Sequence, residues 1–251
     1  MFAHIISGAE SAANVYYYTI SASANGIDLW ADILADNGNV PPAQSTIEVT
    51  INSGVEIGAV DNTSGFNYAI DIDSNFASKT LKIFNNGYIS GFGGNGGEWD
   101  DGNLNNPIGK NGGCGINCAS GGTVIIENTG TIAGGGGGGG GNTGTFSEIS
   151  TDYYADGGGG AGIPAGSAGG GYPLGSSAGA SNGTKTQGGL RALAIDDNAD
   201  PGGNGGNLGQ SGTKPPTGAN GGNAGPPYQA VNSTTVIVTN SGNGSVIGNP
   251  I

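Results

Sequence analysis

The 251-residue chain holds one histidine, His4, two cysteines and six lysines and arginines. Histidine is the commonest general acid–base catalyst and, with cysteine, a leading zinc ligand. With His4 alone and no convergent set of acid, base and nucleophile, the chain reads as a non-enzyme, with no catalytic residue, metal site or cofactor assigned. The cysteines stand four apart in Cys114-Gly115-Ile116-Asn117-Cys118. Two thiols without histidines make a poor zinc site, which leaves a small disulfide or an incidental pair. Six basic residues against 19 acidic give a net charge of −13. Nucleic-acid binding needs cations to neutralise phosphates, so neither nucleic acid nor an anionic membrane is expected as a direct ligand. No apolar run reaches the ~18 residues of a membrane span, so no membrane insertion is expected. The opening Met1-Phe2-Ala3-His4-Ile5-Ile6 lacks the basic region and long apolar core of a signal peptide, and none is expected.

Several motif matches fail on context. Gly91-Phe92-Gly93-Gly94-Asn95-Gly96 fits GxGxxG after a strand, but no apolar-periodic helix follows it. Gly175-Ser176-Ser177-Ala178-Gly179 fits GxSxG without a preceding strand or a nearby histidine. Asp71, Asp73 and Asn75 begin like a calcium loop, yet Phe76 stands where an EF-hand needs glycine.

What the chain has instead is glycine, 56 residues of it, and only Gly8, Gly26, Gly38, Gly54, Gly58 and Gly65 precede Gly87. At the centre lies the uninterrupted run Gly134–Gly141, between Ala133 and Asn142. Ordering such a run costs roughly 1–2 kcal/mol of backbone entropy per residue, and it has no side chains with which to offset that. Either it is a flexible linker, or neighbouring backbones pack closely around it and satisfy its amides and carbonyls. Varied segments containing Trp, Tyr, Leu and Asp alternate with the glycine tracts, unlike a monotonous linker. Polyproline II geometry has three residues per turn and no internal hydrogen bonds, and glycine is required where such chains crowd together. A helix enclosed on every side must be all glycine, as in Gly134–Gly141. A peripheral one tolerates a side chain every third residue, as in Gly93-Gly94-Asn95-Gly96-Gly97 and Gly202-Gly203-Asn204-Gly205-Gly206. Gly221-Gly222-Asn223-Ala224-Gly225 is a third such tract.

Around this body the sequence reads as β structure. Tyr16–Ser21 is strand-prone, and Ile27, Trp30, Ile33 and Leu34 fall near helical spacing before Asn37-Gly38. Trp30 and the neighbouring tyrosines read as core, with a docking surface as the functional alternative. From Ile47 an internal repeat of strand, Asn-containing turn and strand emerges. Its copies begin at Ile47, Leu81, Val124 and, more loosely, Val236. These read as stacked rungs of a small β-helix or sandwich. The expected fold is mainly β and irregular: a small N-terminal β-domain or β-helix rungs, then a bundle or sandwich of polyglycine II helices with long end loops. Residues 1–90 form the attachment base, 91–235 the bundle, and 236–251 a strand returning to the base.

Loops on a rigid scaffold are where binding residues concentrate, and exposed aromatics supply contact area at low entropic cost. The segments between glycine tracts are Glu98–Lys110, Thr143–Asp156, Tyr172–Gln187, Leu190–Pro201 and Leu208–Thr217. They place Trp99 with Asp100 and Asp101, Tyr153 with Tyr154, Tyr172, Leu174 and Arg191 as candidate binding residues. The plainer role for these apolar side chains is to cap the bundle ends.

The passage Val124-Ile125-Ile126-Glu127-Asn128-Thr129-Gly130-Thr131-Ile132-Ala133-Gly134 leading to Gly141, with the similar entry from Asn85 to Gly97, resembles the receptor-binding adhesins at the tips of T-even-like phage long tail fibres. The resemblance covers residues 81–250. It implies a polyglycine II sandwich whose distal loops bind outer-membrane proteins or lipopolysaccharide, on a protein made in the host cytoplasm and carried on the virion. The implied partners are a virion tail-fibre protein, held through the N-terminal region, and a host outer-membrane protein or surface glycan. A single copy and a homo-oligomer both fit. A structural fibre or decoration protein is the second reading. An ice-binding protein is the third, although the irregular glycine spacing suits it poorly.

Overall fold

The computed structural model describes residues 15–60, 68–98, 107–142, 156–169, 180–192, 201–216 and 218–251. The chain winds through five turns of a three-sided parallel coil. The first turn carries β1 (Val15–Ile20), β2 (Ala24–Asn25) and β3 (Ile27–Asp28), followed by α1 (Leu29–Asp36). The second carries β4 (Thr46–Ile51), β5 (Glu56–Gly58) and β6 (Tyr68–Ile72), and the third β7 (Thr80–Asn85), β8 (Tyr88–Ser90) and β9 (Cys114–Cys118). In the fourth lie β10 (Thr123–Asn128), β11 (Thr131–Ala133) and β12 (Tyr228–Ala230), and in the fifth β13 (Thr235–Asn240) and β14 (Ser245–Ile247). The sheets run β1-β4-β7-β10-β13, β14-β11-β8-β5-β2 and β12-β9-β6-β3, every pair parallel. The two strands of each sequence repeat therefore pair with their equivalents in adjacent turns and not with each other. The chain end completes the third side, where Ala230 N–H donates to the Ile251 carbonyl at 2.7 Å.

Alternation dictates the coil. In β4, β7 and β10 every second residue is buried, and the register stacks them into columns: Ile47 on Leu81 on Val124, and Val49 on Ile83 on Ile126. Each such aliphatic side chain taken from water contributes about 1.5–3 kcal/mol. The third column changes character along the coil, from Ile20 and Ile51 to Asn85, Asn128 and Asn240. The helical spacing read at Ile27–Leu34 matches α1. Asp28 caps it by accepting from Ala31 N–H at 3.0 Å, and Leu29 and Ile33 are buried. Trp30 is partly buried and meets the edge of Phe76 with ring centroids 5.1 Å apart.

The disulfide alternative fails. Cys114 and Cys118 are free and buried at the two ends of β9. Four residues of extended strand separate their Cα atoms by about 13 Å, against a limit of about 7 Å for a bridge. Among the described residues no helix is long and apolar enough to cross a membrane.

The glycine-rich segments leave and re-enter the coil at one corner, between its second and third sides. In the first turn that corner is Gly26 alone, at φ +64°. In the third turn it holds residues 91–113, and in the fourth residues 134–227. Within this body Gly134–Gly141 is buried throughout, and all of its amides and carbonyls are paired. Amides three apart turn to the same neighbour. Those of Gly135, Gly138 and Gly141 donate to Gly113, Lys110 and Pro107, those of Gly136 and Gly139 to Ala161 and Gly158, and those of Gly137 and Gly140 to Gln210 and Thr213. The carbonyls accept in three further directions: from Gly94 and Gly97, from Gly209, Gly206 and Gly203, and from Gly225, Gly222 and Ala219. Six backbones thus surround the tract. A Cβ on any of its glycines would lie 1.7–2.3 Å from a neighbouring carbonyl oxygen, which is why no side chain is tolerated there.

Candidate functional site

The body is held differently at its two ends. Next to the coil, its segments turn within a few residues. The Ile163 carbonyl accepts from Ala59 N–H, and Leu208 is buried near Ala133 and Ala161. Lys185, beside the turn in which Thr184 N–H donates to the Gln187 carbonyl, pairs with Glu56 of β5 and lies 3.9 Å from the centroid of the Tyr88 ring. Leu208 and Gln187 therefore lie at the coil junction. Parts of the segments Leu208–Thr217 and Tyr172–Gln187 thus form turns at the end of the body next to the coil. Residues 210–213 run along the central tract: the Gln210 and Thr213 carbonyls accept from Gly137 and Gly140, and a Cβ at Gly212 would lie 2.0 Å from the Gly138 carbonyl oxygen.

At the opposite end, the residues bounding the remaining segments meet. Gly141 N–H donates to Pro107 at 2.7 Å, Gly157 to Gly97 at 3.0 Å and Gly169 to Gly157 at 3.0 Å. Ala192 donates to Asp156 at 3.2 Å and Gly202 to Ala192 at 3.3 Å. Asn142 bridges Gly218 in antiparallel fashion. The backbones that enter and leave residues 99–106, 143–155, 170–179 and 193–200 are therefore gathered at the end of the body farthest from the coil.

Of the candidate binding residues, Arg191 is described. It is exposed beside Leu190, which is 70 % exposed. Their backbone is clamped on both sides: Leu190 N–H donates to Ser181 Oγ at 2.8 Å and Arg191 N–H to Asn204 Oδ1 at 3.0 Å. Trp99, Asp100, Asp101, Tyr153, Tyr154, Tyr172 and Leu174 lie outside the described residues.

The clamp on Arg191 belongs to a wider pattern that sequence reading missed. Asparagines on the outer faces of the tracts accept amides from adjacent segments through Oδ1. Asn95 takes Ser167, Asn182 takes Ala168, Asn207 takes Gly188 and Asn111 takes Asn223. The signal was present as the Asn in GGxGG, where a water-facing side chain alone would not need to be an amide. No group of acidic, histidine or cysteine side chains among the described residues could hold a metal ion.

The sequence profile of the family described as phage tail fibre adhesin Gp38 matches residues 15–250. No curated protein sequence matches. Among solved structures, the chain is similar to one from the gp37-gp38 adhesin tip complex of the bacteriophage S16 long tail fibre. The TM-score is 0.54 and the identity 23 %, over 94 % of this chain and 82 % of that one.

Proposed function

The chain belongs to the phage tail fibre adhesin Gp38 family, and from that premise we propose that it caps a tail fibre and grips a bacterial surface molecule with the end of its glycine body farthest from the coil. The observation that carries this is the convergence there of the backbones bounding residues 99–106, 143–155, 170–179 and 193–200. Four sequence-diverse segments launched from one rigid platform form a composite surface. Trp99, Asp100, Asp101, Tyr153, Tyr154, Tyr172, Leu174 and Arg191 are its contact residues. They act through aromatic area and hydrogen bonds, without chemistry, on an outer-membrane protein or a glycan.

The glycine body is a bundle of polyglycine II helices that serves as a stiff spacer. The three-residue period of its hydrogen bonds and its crowding around Gly134–Gly141 support this. The 1–90 stretch is the fibre-docking base, residues 91–235 carry the bundle as excursions interspersed with the coil strands β9 to β12, and 236–251 complete the coil. The solved relative is a complex with gp37. The corresponding fibre protein here would meet the first turn of the coil, where Tyr17 is 65 % exposed on the edge strand β1.

The test is binding of the purified chain to a panel of bacterial surfaces, with residues 143–155 replaced by a Gly/Ser segment as the comparison. Strain-selective binding that the replacement abolishes is the expected result. A folded chain that binds no surface would overturn the reading in favour of a purely structural fibre component.

A further inference from the structure

We infer a second, lateral binding site for an acidic saccharide, in the cleft where residues 107–113 of the glycine body pass the third side of the coil. The cleft has a volume of about 490 Å³ and is lined by Tyr68, Phe92, Ile108, Lys110 and Gln229 among others. A second cleft of about 260 Å³ continues it on the other side of Phe92 and Lys110.

The backbone supplies the first argument. Along residues 107–113 the amides repeat in threes: Gly109 and Gly112 donate to Asn220 and Asn223, while Lys110 and Gly113 donate to Asn95 and Phe92. The third direction belongs to Ile108 and Asn111, whose amides have no partner among the described residues, and both residues line the larger cleft. Three residues at about 3.1 Å rise place these two donors about 9 Å apart. That separation suits acceptor oxygens on successive sugar rings.

Charge supplies the second. In a chain of net charge −13, Lys82 and Lys185 are paired with Glu48 and Glu56, and Lys79 Nζ donates to the Pro42 and Gln44 carbonyls. The Lys110 ammonium has no such partner among the described residues. Among the described residues, no carboxylate lines either cleft. A cation and amide donors unpaired among the described residues, beside the half-buried Tyr68 ring, suit a pyranose that lays its C–H face on the ring and offers a carboxylate to the lysine.

The full chain is titrated calorimetrically with three probes: hyaluronan disaccharide, which pairs a glucuronate with N-acetylglucosamine; the uncharged N-acetylglucosamine dimer; and inorganic phosphate. The acidic disaccharide should bind about fivefold more tightly than the neutral one, as expected of a partly exposed ion pair. Lys110→Gln should erase that difference. Ile108→Pro, which removes an amide that no other described residue accepts, should weaken both sugars more than Ile108→Ala, which keeps it. Unfolding midpoints matching the parent establish that the variants fold, and Lys110→Gln alone suffices should the proline variant not. Binding of neither sugar, equal binding of both, or indifference to Lys110→Gln would overturn the proposal. Phosphate binding as tightly as the disaccharide would reduce the site to an adventitious ion only. Strain-selective binding through residues 143–155 is read separately, so either idea can fail without the other.

Discussion

Asn85 donates through Nδ2 to Asn128 Oδ1 at 2.8 Å inside the coil, and Asn128 in turn donates to Asn240 Oδ1 at 2.9 Å. The same two amide nitrogens also reach the carbonyls of Thr131 and Ser245 in the next turn. Asn85 and Asn128 are fully buried, so each amide must be satisfied by its neighbour. Asn128→Ala should therefore destabilise the fold by about 2–3 kcal/mol, because it strands Asn85 as well as removing its own bonds. Asn240→Ala, at the exposed end, should cost about 1 kcal/mol or less. Urea midpoints measure both, and equal losses would contradict the ladder.

The central tract makes a harsher prediction. A Cβ at Gly138 would lie 1.9 Å from the Asn95 carbonyl oxygen, whereas one at Gly38 would meet nothing within 4 Å. Gly138→Ala should prevent the body from closing or cost more than about 3 kcal/mol. Gly38→Ala, at φ +67°, should cost only about 1 kcal/mol of backbone strain. Soluble yield and unfolding midpoints distinguish the two.

The asparagine clamps can be tested locally. Asn204→Ala should speed hydrogen exchange at the Arg191 amide, and Asn95→Ala at Ser167, each at a global cost of about 1 kcal/mol. Exchange that rises equally everywhere would show that these side chains do not act as individual clamps.

Burial pushes the thiols of Cys114 and Cys118 up to about 12, with the neighbouring Cys118 adding to the shift of the first and Asp71 to that of the second. The protonated form is the one the fold favours. The unfolded thiols ionise from about 9, so stability is full below that pH and falls as pH rises from about 9 to about 12. Alkylation at pH 8 should be slow in the native chain and rapid once it is unfolded. A variant carrying Cys114→Ala and Cys118→Ala should lose less stability than the parent over the alkaline range. Parallel losses would show that other groups, such as the buried Tyr88 hydroxyl, carry the effect.

If the far end of the body holds the receptor, truncating aromatic anchors there should weaken adsorption without unfolding the chain. Trp99→Ala, or Tyr153→Ala with Tyr154→Ala, should each cost about tenfold or more in binding. Adsorption at parental levels from either variant would remove that segment from the contact surface.

The first two sides of the coil were legible because the strands at Ile47, Leu81 and Val124 alternate strictly and repeat. The third side was not. β9 is a short run with glycine and asparagine between its cysteines, and it follows an excursion that separates it from its own turn. The first turn escaped the repeat because Gly26 alone makes its corner and β1 carries tyrosines where later turns carry aliphatics. The family match correspondingly begins at residue 15 and not near 81. In the body, the all-glycine tract announced its own crowding. The segment at 210–213 looked like a loop because a peripheral strand needs glycine only where it faces the centre, as at Gly212.

The gathered ends at the far face set how this surface can change. Residues 97 and 107 are bonded to the same central tract, at Gly139 and Gly141, whatever lies between them. Lengthening the intervening chain costs the entropy of closing a longer loop, about 0.6 kcal/mol for each doubling, and leaves these two bonds in place. Substitutions within the tract meet a wall of carbonyl oxygens. Insertions at its tip meet almost no resistance, so length is the easiest property of this surface for selection to vary.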